Sequence, residues 1–419
     1  MARFFILSIN YAPEPTGFAP KAAALAQHLA RQGHRVSVFT GFPFAPHWRR
    51  RAEDRGRLWA RERAGTLTVY RLTHFIPRRP SALLQRLAME GSFSVAALVA
   101  ILPLLLRRRT RPDVVLYIGA QPALAMLARL VAGLARRPYF VNITDLAAQA
   151  ALDVGITGRR MARLLERFEF AAYRKAAGAG VLTRSFQDAL VARGYPAARI
   201  HLVRDPTDLD AIRPVPRDGA FRARYDIPAS ACVVLFAGSM GRKQGLLNVV
   251  AAAALTRETD LCWVLVGAGE MRDALVEATR ERGLDAAVRF VPFQPDEEVS
   301  RMFADADVLL LNQISAVKDT VIPSKLLTYM AAGRPVLAAV SATSQAADVV
   351  RDADGGVLVA PDDPDALARA ARWCAAAPPE VLAGFGARNR AYAERHFDQK
   401  AIVAAHERFM LQATDEAGG

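Results

Sequence analysis

Short unbroken apolar runs recur along the chain, most of them followed by a loop and then by a segment whose apolar positions fall three and four residues apart. Runs of the first kind predict strands buried on both faces, as in a parallel sheet, and segments of the second kind predict amphipathic helices. The opening shows one such unit: FFILSI as strand, a loop containing Gly17, a helix from about Pro20 to Arg31, Gly33, and VSVFT as the next strand. VYRL, VVLYIG, PYFVNI, AGVL and RIHLV continue the alternation to Val203. Residues 204–218 hold three prolines and no periodicity, which predicts a hinge. The pattern restarts with CVVLFAG, LCWVLVG, VRFVPF, DVLLLN and RPVLAAV, a second open sheet over 219–395. The expected fold class is α/β, with two Rossmann-like doubly wound domains, 1–203 and 219–395, and a closing helix within 396–419 packing back on the first.

One stretch departs from this rhythm. Fourteen residues from Phe93 to Leu106 carry no charge, and Arg107, Arg108 and Arg109 follow directly. The run is shorter than the about 18 to 20 residues that span a bilayer, so it predicts a buried or interfacial helix. A basic cluster at its end favours partial insertion at an anionic membrane surface over simple core packing. Residues 47–63, with seven Arg and two Trp, suit a nucleic acid, a phosphate-rich ligand or lipid headgroups, and equally a solvated Arg-rich loop.

Charge and composition narrow these readings. Residues 1–213 hold 33 Lys+Arg against 14 Asp+Glu, and the remainder 22 against 27, so the chain's net +14 is +19 in the first half and −5 in the second. Such asymmetry points to an anionic partner for the first half. Beside the apolar run, that partner is expected to be a membrane surface, and no nucleic acid is expected. Part of the excess reflects composition, because only six of the 55 basic residues are Lys. A 52% hydrophobic and 23% charged chain folds around substantial cores. Cys232, Cys262 and Cys374 are widely spaced in apolar runs, which implies a reducing cytoplasm, and no His/Cys grouping has metal spacing. MARFFILSIN is too short and too quickly polar for a secretory signal, so the expected location is cytoplasmic, peripheral on the inner face of the plasma membrane.

Candidate chemistry concentrates at residues 319–336, DTVIPSKLLTYMAAGRPV, where a strand end runs through a Pro into a short helix closed by Gly333. Pro323 suits the first helical position, and Ser324 and Lys325 then fall in the first turn, where free N–H groups and the helix dipole favour a phosphate. Lys325 adds a full charge. The same order of strand, loop and helix occurs in any doubly wound domain, so the motif alone does not separate a phosphate seat from ordinary architecture. Neither the loop NYAPEPTGFAP nor the lone GAG at 267–269 supplies a three-glycine dinucleotide fingerprint.

Together, FAGSMGRKQGL (236–246), LVGAGE (265–270), VRFVPFQPDEEVSRMFADADVLLL (288–311) and VIPSKLLTYMAAGRPVLA (321–338) resemble the carboxy-terminal domain of the family-four, GT-B-fold glycosyltransferases. INYAPEPTGFA, QHLARQGHRVSVFT and RPDVVLYIG are similar to the subgroup that builds colanic acid and related surface polysaccharides, so the resemblance covers almost the whole chain. It implies two domains facing a cleft, and a retaining transfer of sugar from a nucleoside diphosphate to a lipid-linked or growing polysaccharide acceptor. Because Lys243, Lys325 and a helix terminus supply a positive field and no ligand cluster is visible in the sequence, no metal and no cofactor are expected.

By the same resemblance, Lys243 neutralises the donor diphosphate with Arg242 as helper, and Ser324, Lys325 and the backbone of Thr320, Val321 and Ile322 hold the distal phosphate and sugar. Pro292 and Phe293 match the region that reads the nucleobase edge. Gly17 matches the glycine that allows close backbone approach to donor and acceptor. Asp145 matches the group facing the donor sugar, although an Asp after a strand also serves as a cap or turn residue. Many relatives carry two Glu eight positions apart where this chain has Thr320 and Thr328, and Asp319 is the nearest substitute for the first. Two rival readings follow: a GT-B-fold sugar-nucleotide epimerase, and a degenerate scaffold in a polysaccharide-assembly complex.

Overall fold

The computed structural model describes residues 1–14, 18–45, 47–79, 82–145, 159–317 and 322–418. Its chain forms two compact units, Met1–Arg204 together with Lys400–Gly419, and Asp205–Gln399.

The first unit is an eight-stranded sheet with strands β1 (Arg3–Leu7), β2 (Arg35–Gly41), β3 (Trp59–Ala64), β4 (Leu67–Leu72), β5 (Val114–Gly119), β6 (Tyr139–Ile143), β7 (Gly178–Val181) and β8 (Ile200–Leu202). Their order is β3-β4-β2-β1-β5-β6-β7-β8, and every pairing is parallel except β3 with β4. β1 and β5 are central, Phe4 standing opposite Val36 on one side and Val114 on the other. Apart from Arg3 at the start of β1 they are unbroken apolar runs, as expected where helices cover both faces. WARERA, at the end of the Arg-rich stretch for which a solvated loop was one alternative, is the edge strand β3, turned back on β4 at Gly65. Its exposed Arg and Glu alternation is that of an edge strand, and Glu62 pairs with Arg71 across the hairpin at 2.5 Å.

The apolar stretch is longer than expected. Its helix runs Leu83–Leu106, 24 residues, and is long and apolar enough by length and composition to cross a membrane. Arg86 and Glu90 hid the first turns from an uncharged-run reading. Met89, Phe93, Ala97, Ile101 and Leu105 are buried at four-residue spacing, and the helix packs against the Pro122–Ala135 helix. Val95 and Val99, on other faces, are each 64% exposed. At the end of the chain, Val403 and Met410 enter the first core beside Phe4 and Ile6, and Glu407 accepts from His28 and His34, each at 2.7 Å.

The second unit is a six-stranded, all-parallel sheet: β9 (Cys232–Ala237), β10 (Leu261–Val266), β11 (Val288–Val291), β12 (Val308–Asn312), β13 (Val336–Ala339) and β14 (Gly356–Val359), ordered β11-β10-β9-β12-β13-β14. Apolar cores lie on both faces. Residues of the 204–218 segment group with this unit: Leu209 is in its core, and Arg217 pairs with Asp307 at 2.5 Å. The carboxylate of Asp305 accepts from Gly219 and Phe221 N–H, each at 2.9 Å, which fixes the approach to β9.

Candidate active site

In parallel α/β sheets, ligands bind beyond the carboxyl ends of the strands where strand order reverses. In the second unit that point lies between β9 and β12. The loop after β9 carries Arg242 and Lys243, and the chain after β12 leads to Ser324 and Lys325. The candidates after β11, Pro292 and Phe293, belong to the same edge, with Phe293 59% exposed and therefore able to present its ring to a planar ligand.

Local bonding fixes both loops. Asn312, the last residue of β12, donates to the carbonyls of Gln244 at 2.7 Å and Gly245 at 3.1 Å, while Ile314 N–H donates to Lys243 C=O at 3.1 Å. These bonds hold the Arg242–Gln244 turn beside β12. Met240 N–H donates to Ala268 C=O at 2.8 Å and joins the loops after β9 and β10. On the other side, the helix Ser324–Ala331 is stapled to β9 by Tyr329, whose hydroxyl accepts from Ala237 N–H at 2.9 Å and donates to Ala237 C=O at 3.2 Å. Pro323 stands one place earlier than expected, as the N-cap, and the helix begins at Ser324.

Lys325 is the central group. Its stem crosses over Gly238, where an added Cβ would lie 2.2 Å from Lys325 Cε and where φ is +140°, so only glycine fits. The ammonium sits 5.2 Å from the centre of the Phe236 ring. Burial first, and then the charge of Lys243, lower its pKa to about 8. Two cations are therefore close together on the switch point, one partly buried and one exposed, with Arg242 at the rim 3.8 Å from Glu270. The Thr328 hydroxyl donates back to Ser324 C=O at 3.0 Å and is one turn from the helix start. Ile322 is partly buried against the core. Asp319, Thr320, Val321 and Gly17 lie outside the described residues.

In the first unit the order reverses between β1 and β5. Asp145, exposed just after β6, is at this carboxyl edge. The loop after β1 is held by Glu14, a buried carboxylate that accepts from Phe44 and Ala45 N–H at 2.8 Å and from Asn10 Nδ2 at 2.7 Å. His74 lies partly buried between the rings of Phe44 and Phe93, and its desolvation there lowers its pKa to about 4, so it is neutral at pH 7.

Residues 16–206 match the model of the glycosyl transferase 4-like domain, and residues 219–390 that of glycosyl transferases group 1. Together the two models span most of the chain, which is a glycosyltransferase. The putative colanic acid biosynthesis glycosyl transferase WcaI of Escherichia coli K12 is 28% identical over 411 residues, 96% of this chain and 98% of the relative. Among solved structures, sucrose-phosphate synthase of Thermosynechococcus elongatus superposes with a TM-score of 0.71 at 20% identity, covering 98% of this chain and 99% of that one. HepE of Anabaena, in complex with UDP-glucose, gives 0.68 at 17% identity, over 98% and 100%. The fold is GT-B.

In this glycosyltransferase, sequence reading missed the residues that build the seat without touching its centre, Gly238 under Lys325, Tyr329 as staple and Asn312 as anchor of the basic turn, and in the first unit it missed Glu14, which holds the loop after β1. All four lie inside stretches singled out in the sequence, FAGSMG, LLTYMAAG, VLLLN and NYAPEPTG, but nothing in those strings marks their part in the frame.

Proposed function

We propose that this glycosyltransferase transfers a sugar, with retention, from a nucleoside diphosphate donor to a lipid-linked or growing surface-polysaccharide acceptor. It works without a metal ion, on the cytoplasmic face of the plasma membrane. The observation that carries the donor class is the convergence of Lys325 and Lys243 on the β9/β12 switch point, at a helix start. Support for the pathway comes from WcaI, whose name concerns colanic acid, and for the donor from HepE, solved with UDP-glucose.

In this reading the diphosphate rests on the Ser324–Lys325 turn with Lys243 and Arg242 above it, and the base lies against Phe293. The bond between the anomeric carbon and the diphosphate oxygen breaks, and its electron pair passes to the diphosphate. Lys325 and Lys243 meet the charge that grows there. The acceptor hydroxyl attacks from the same face and gives its proton to the departing phosphate oxygen, so atoms and charge balance without a carboxylate pair. This chemistry accommodates Thr at 320 and 328.

Membrane attachment rests on the Leu83–Leu106 helix, whose exposed Val95, Val99, Leu102 and Leu106 are followed by Arg107, Arg108 and Arg109. Because its other face is buried in the first unit, the helix lies in the headgroup layer and does not span. A ligand of the native state raises its melting temperature, so thermal shift with a panel of nucleoside diphosphate sugars identifies the donor, and transfer is then assayed with it. Transfer persisting in a chelator is expected. A chelator-abolished activity restored by magnesium or manganese contradicts the metal-free reading, and no shift with any nucleoside diphosphate sugar contradicts the donor class.

A further inference from the structure

A cavity of about 910 Å³ opens at the opposite edge of the first sheet, among the amino ends of its strands. Arg129, Arg136, Arg137, Lys175 and Arg199 line it, with Phe409 of the closing helix as one wall, and no carboxylate is among its lining residues. Tyr139 opens β6, Ala177 precedes β7 and Arg199 precedes β8, so this edge of the first sheet is opposite the carboxyl edge that carries Asp145. No residue here has a part in the chemistry proposed above.

Ordinary structural duties account for two of the five cations. Arg129 Nη1 donates to Ala171 C=O near the hydroxyl of Tyr139, and Arg137 lies 3.7 Å from Asp113. Helix-end carbonyls of Pro122–Ala135 favour a nearby cation as well. Arg136, Lys175 and Arg199 remain. They are exposed, come from three separate segments, and form no ion pair among the described residues. Cations brought together without a carboxylate repel one another, and an anion between them removes that repulsion. Guanidinium groups fit phosphate bidentately, and three or more positive charges match a ligand with more than one negative charge.

From this convergence we infer that the cavity is a binding site for a multiply charged phosphoryl anion, separate from the donor seat. Two sources share that chemistry. One is a phosphorylated lipid headgroup, favoured by the exposed Leu130 and Leu134 on the Pro122–Ala135 helix that borders the cavity. The other is a soluble phosphate ester or polyphosphate.

The test uses the full chain in a Lys243→Ala, Lys325→Ala background, which removes the donor seat as a competing phosphate site. Inorganic pyrophosphate binding is measured by calorimetry, and sedimentation is measured with phosphatidylcholine vesicles with and without phosphatidylglycerol. Arg136→Ala, Lys175→Ala and Arg199→Ala are added together. A control carries Arg55→Ala, Arg61→Ala and Arg63→Ala, equal in charge, exposed, and on or just before β3 at the other end of the sheet from β8, and melting curves confirm folding. At roughly fivefold per cation, the cavity variant should lose on the order of a hundredfold in affinity and the control much less. Loss of pyrophosphate binding alone assigns a soluble phosphate, and loss of vesicle binding beyond the control assigns a headgroup. A cavity variant that matches the control with both probes overturns the site. Failure of the donor seat would appear separately, as unchanged donor binding in the background variant.

Discussion

The two sheets of this chain share an architecture, and each offers a switch point at its carboxyl edge, between β1 and β5 in the first unit and between β9 and β12 in the second. Their chemistry is opposite. The second edge holds two lysines on a frame of backbone-directed bonds from Asn312 and Tyr329. The first edge holds an exposed Asp145, a neutral His74 and a Glu14 whose oxygens are occupied by N–H donors. Net charge runs the other way, since the first half of the chain is the basic one. Bulk charge and local charge therefore answer to different partners: the first is spread over surface and suits an extended anionic phase, whereas the second is a pair at one point and suits a single ligand.

The sharpest way to break that comparison is at the pair itself. Removing one electrostatic donor to a growing charge costs about 2.7 to 4 kcal/mol, so Lys325→Ala and Lys243→Ala should each lower turnover about a hundredfold to a thousandfold, with melting curves showing an intact fold. If both changes prove neutral, the second switch point is not where the leaving group sits.

On the first unit, Val95→Ser with Val99→Ser should reduce vesicle binding strongly while leaving donor affinity intact. Burial of one valine side chain contributes about 1.5 kcal/mol or more, so the pair is worth roughly a hundredfold in partitioning. Vesicle sedimentation checks it, and a double variant that binds like the parent removes the helix from the interface.

A pH series addresses Lys325 next. Its pKa, lowered to about 8, means that the free enzyme loses the buried cation as pH rises through that value, so donor affinity should fall by up to tenfold per unit above it. The stability sign is the reverse. Protonated Lys325 is the penalised form in the folded state, so its burden is greatest below pH 8 and is relieved as pH rises from about 8 towards the unfolded value of about 10.4. Lys325→Met should accordingly melt higher than the parent at pH 7 while failing to turn over.

Smaller still is the effect at Thr328. Its hydroxyl already bonds Ser324 C=O, and a neutral hydrogen bond is worth about 0.5 to 1.5 kcal/mol, so Thr328→Ala should weaken donor binding by roughly tenfold at most. Should it equal either lysine change with the fold intact, the ribose and diphosphate are wrongly placed here.

The least change is expected at Glu90, partly buried at the Pro122–Ala135 helix start, where desolvation raises its pKa to about 7. A raised carboxyl pKa contributes stability that is present below the unfolded value and lost as pH rises through 7. Glu90→Gln should therefore melt with the parent at pH 4 and modestly above it at pH 8, as a pair of melting series would show.

Most strands could be read from sequence because a parallel strand covered on both faces is an unbroken apolar run, as in VVLYIG or LCWVLV. WARERA could not, since an edge strand buries little and its Arg and Glu alternation is equally that of a solvated loop. The Leu83–Leu106 helix was read short for a related reason: Glu90 counts as charged in a sequence, yet it is partly buried and its pKa is raised to about 7, so near neutral pH a substantial share of it carries no charge. At the candidate site, charge and motif order picked out Lys243 and Lys325, but the frame around them was invisible. Nothing in a string distinguishes Tyr329, which spans two polar groups of β9, from any core tyrosine, and Gly238 is recognisable only once Lys325 is seen to lie across it.

The return of residues 400–418 to the first unit also matters for how the molecule comes into being. Val403, Glu407 and Met410 complete a core and satisfy two histidines that belong to the opening βαβ segment, yet all of Asp205–Gln399 is made before them. At about 5 to 20 residues per second, the nascent first unit waits on the order of 10 to 40 s with that seam uncovered. During vectorial synthesis the second unit can finish first, and the earliest residues off the ribosome are among the last to be sealed.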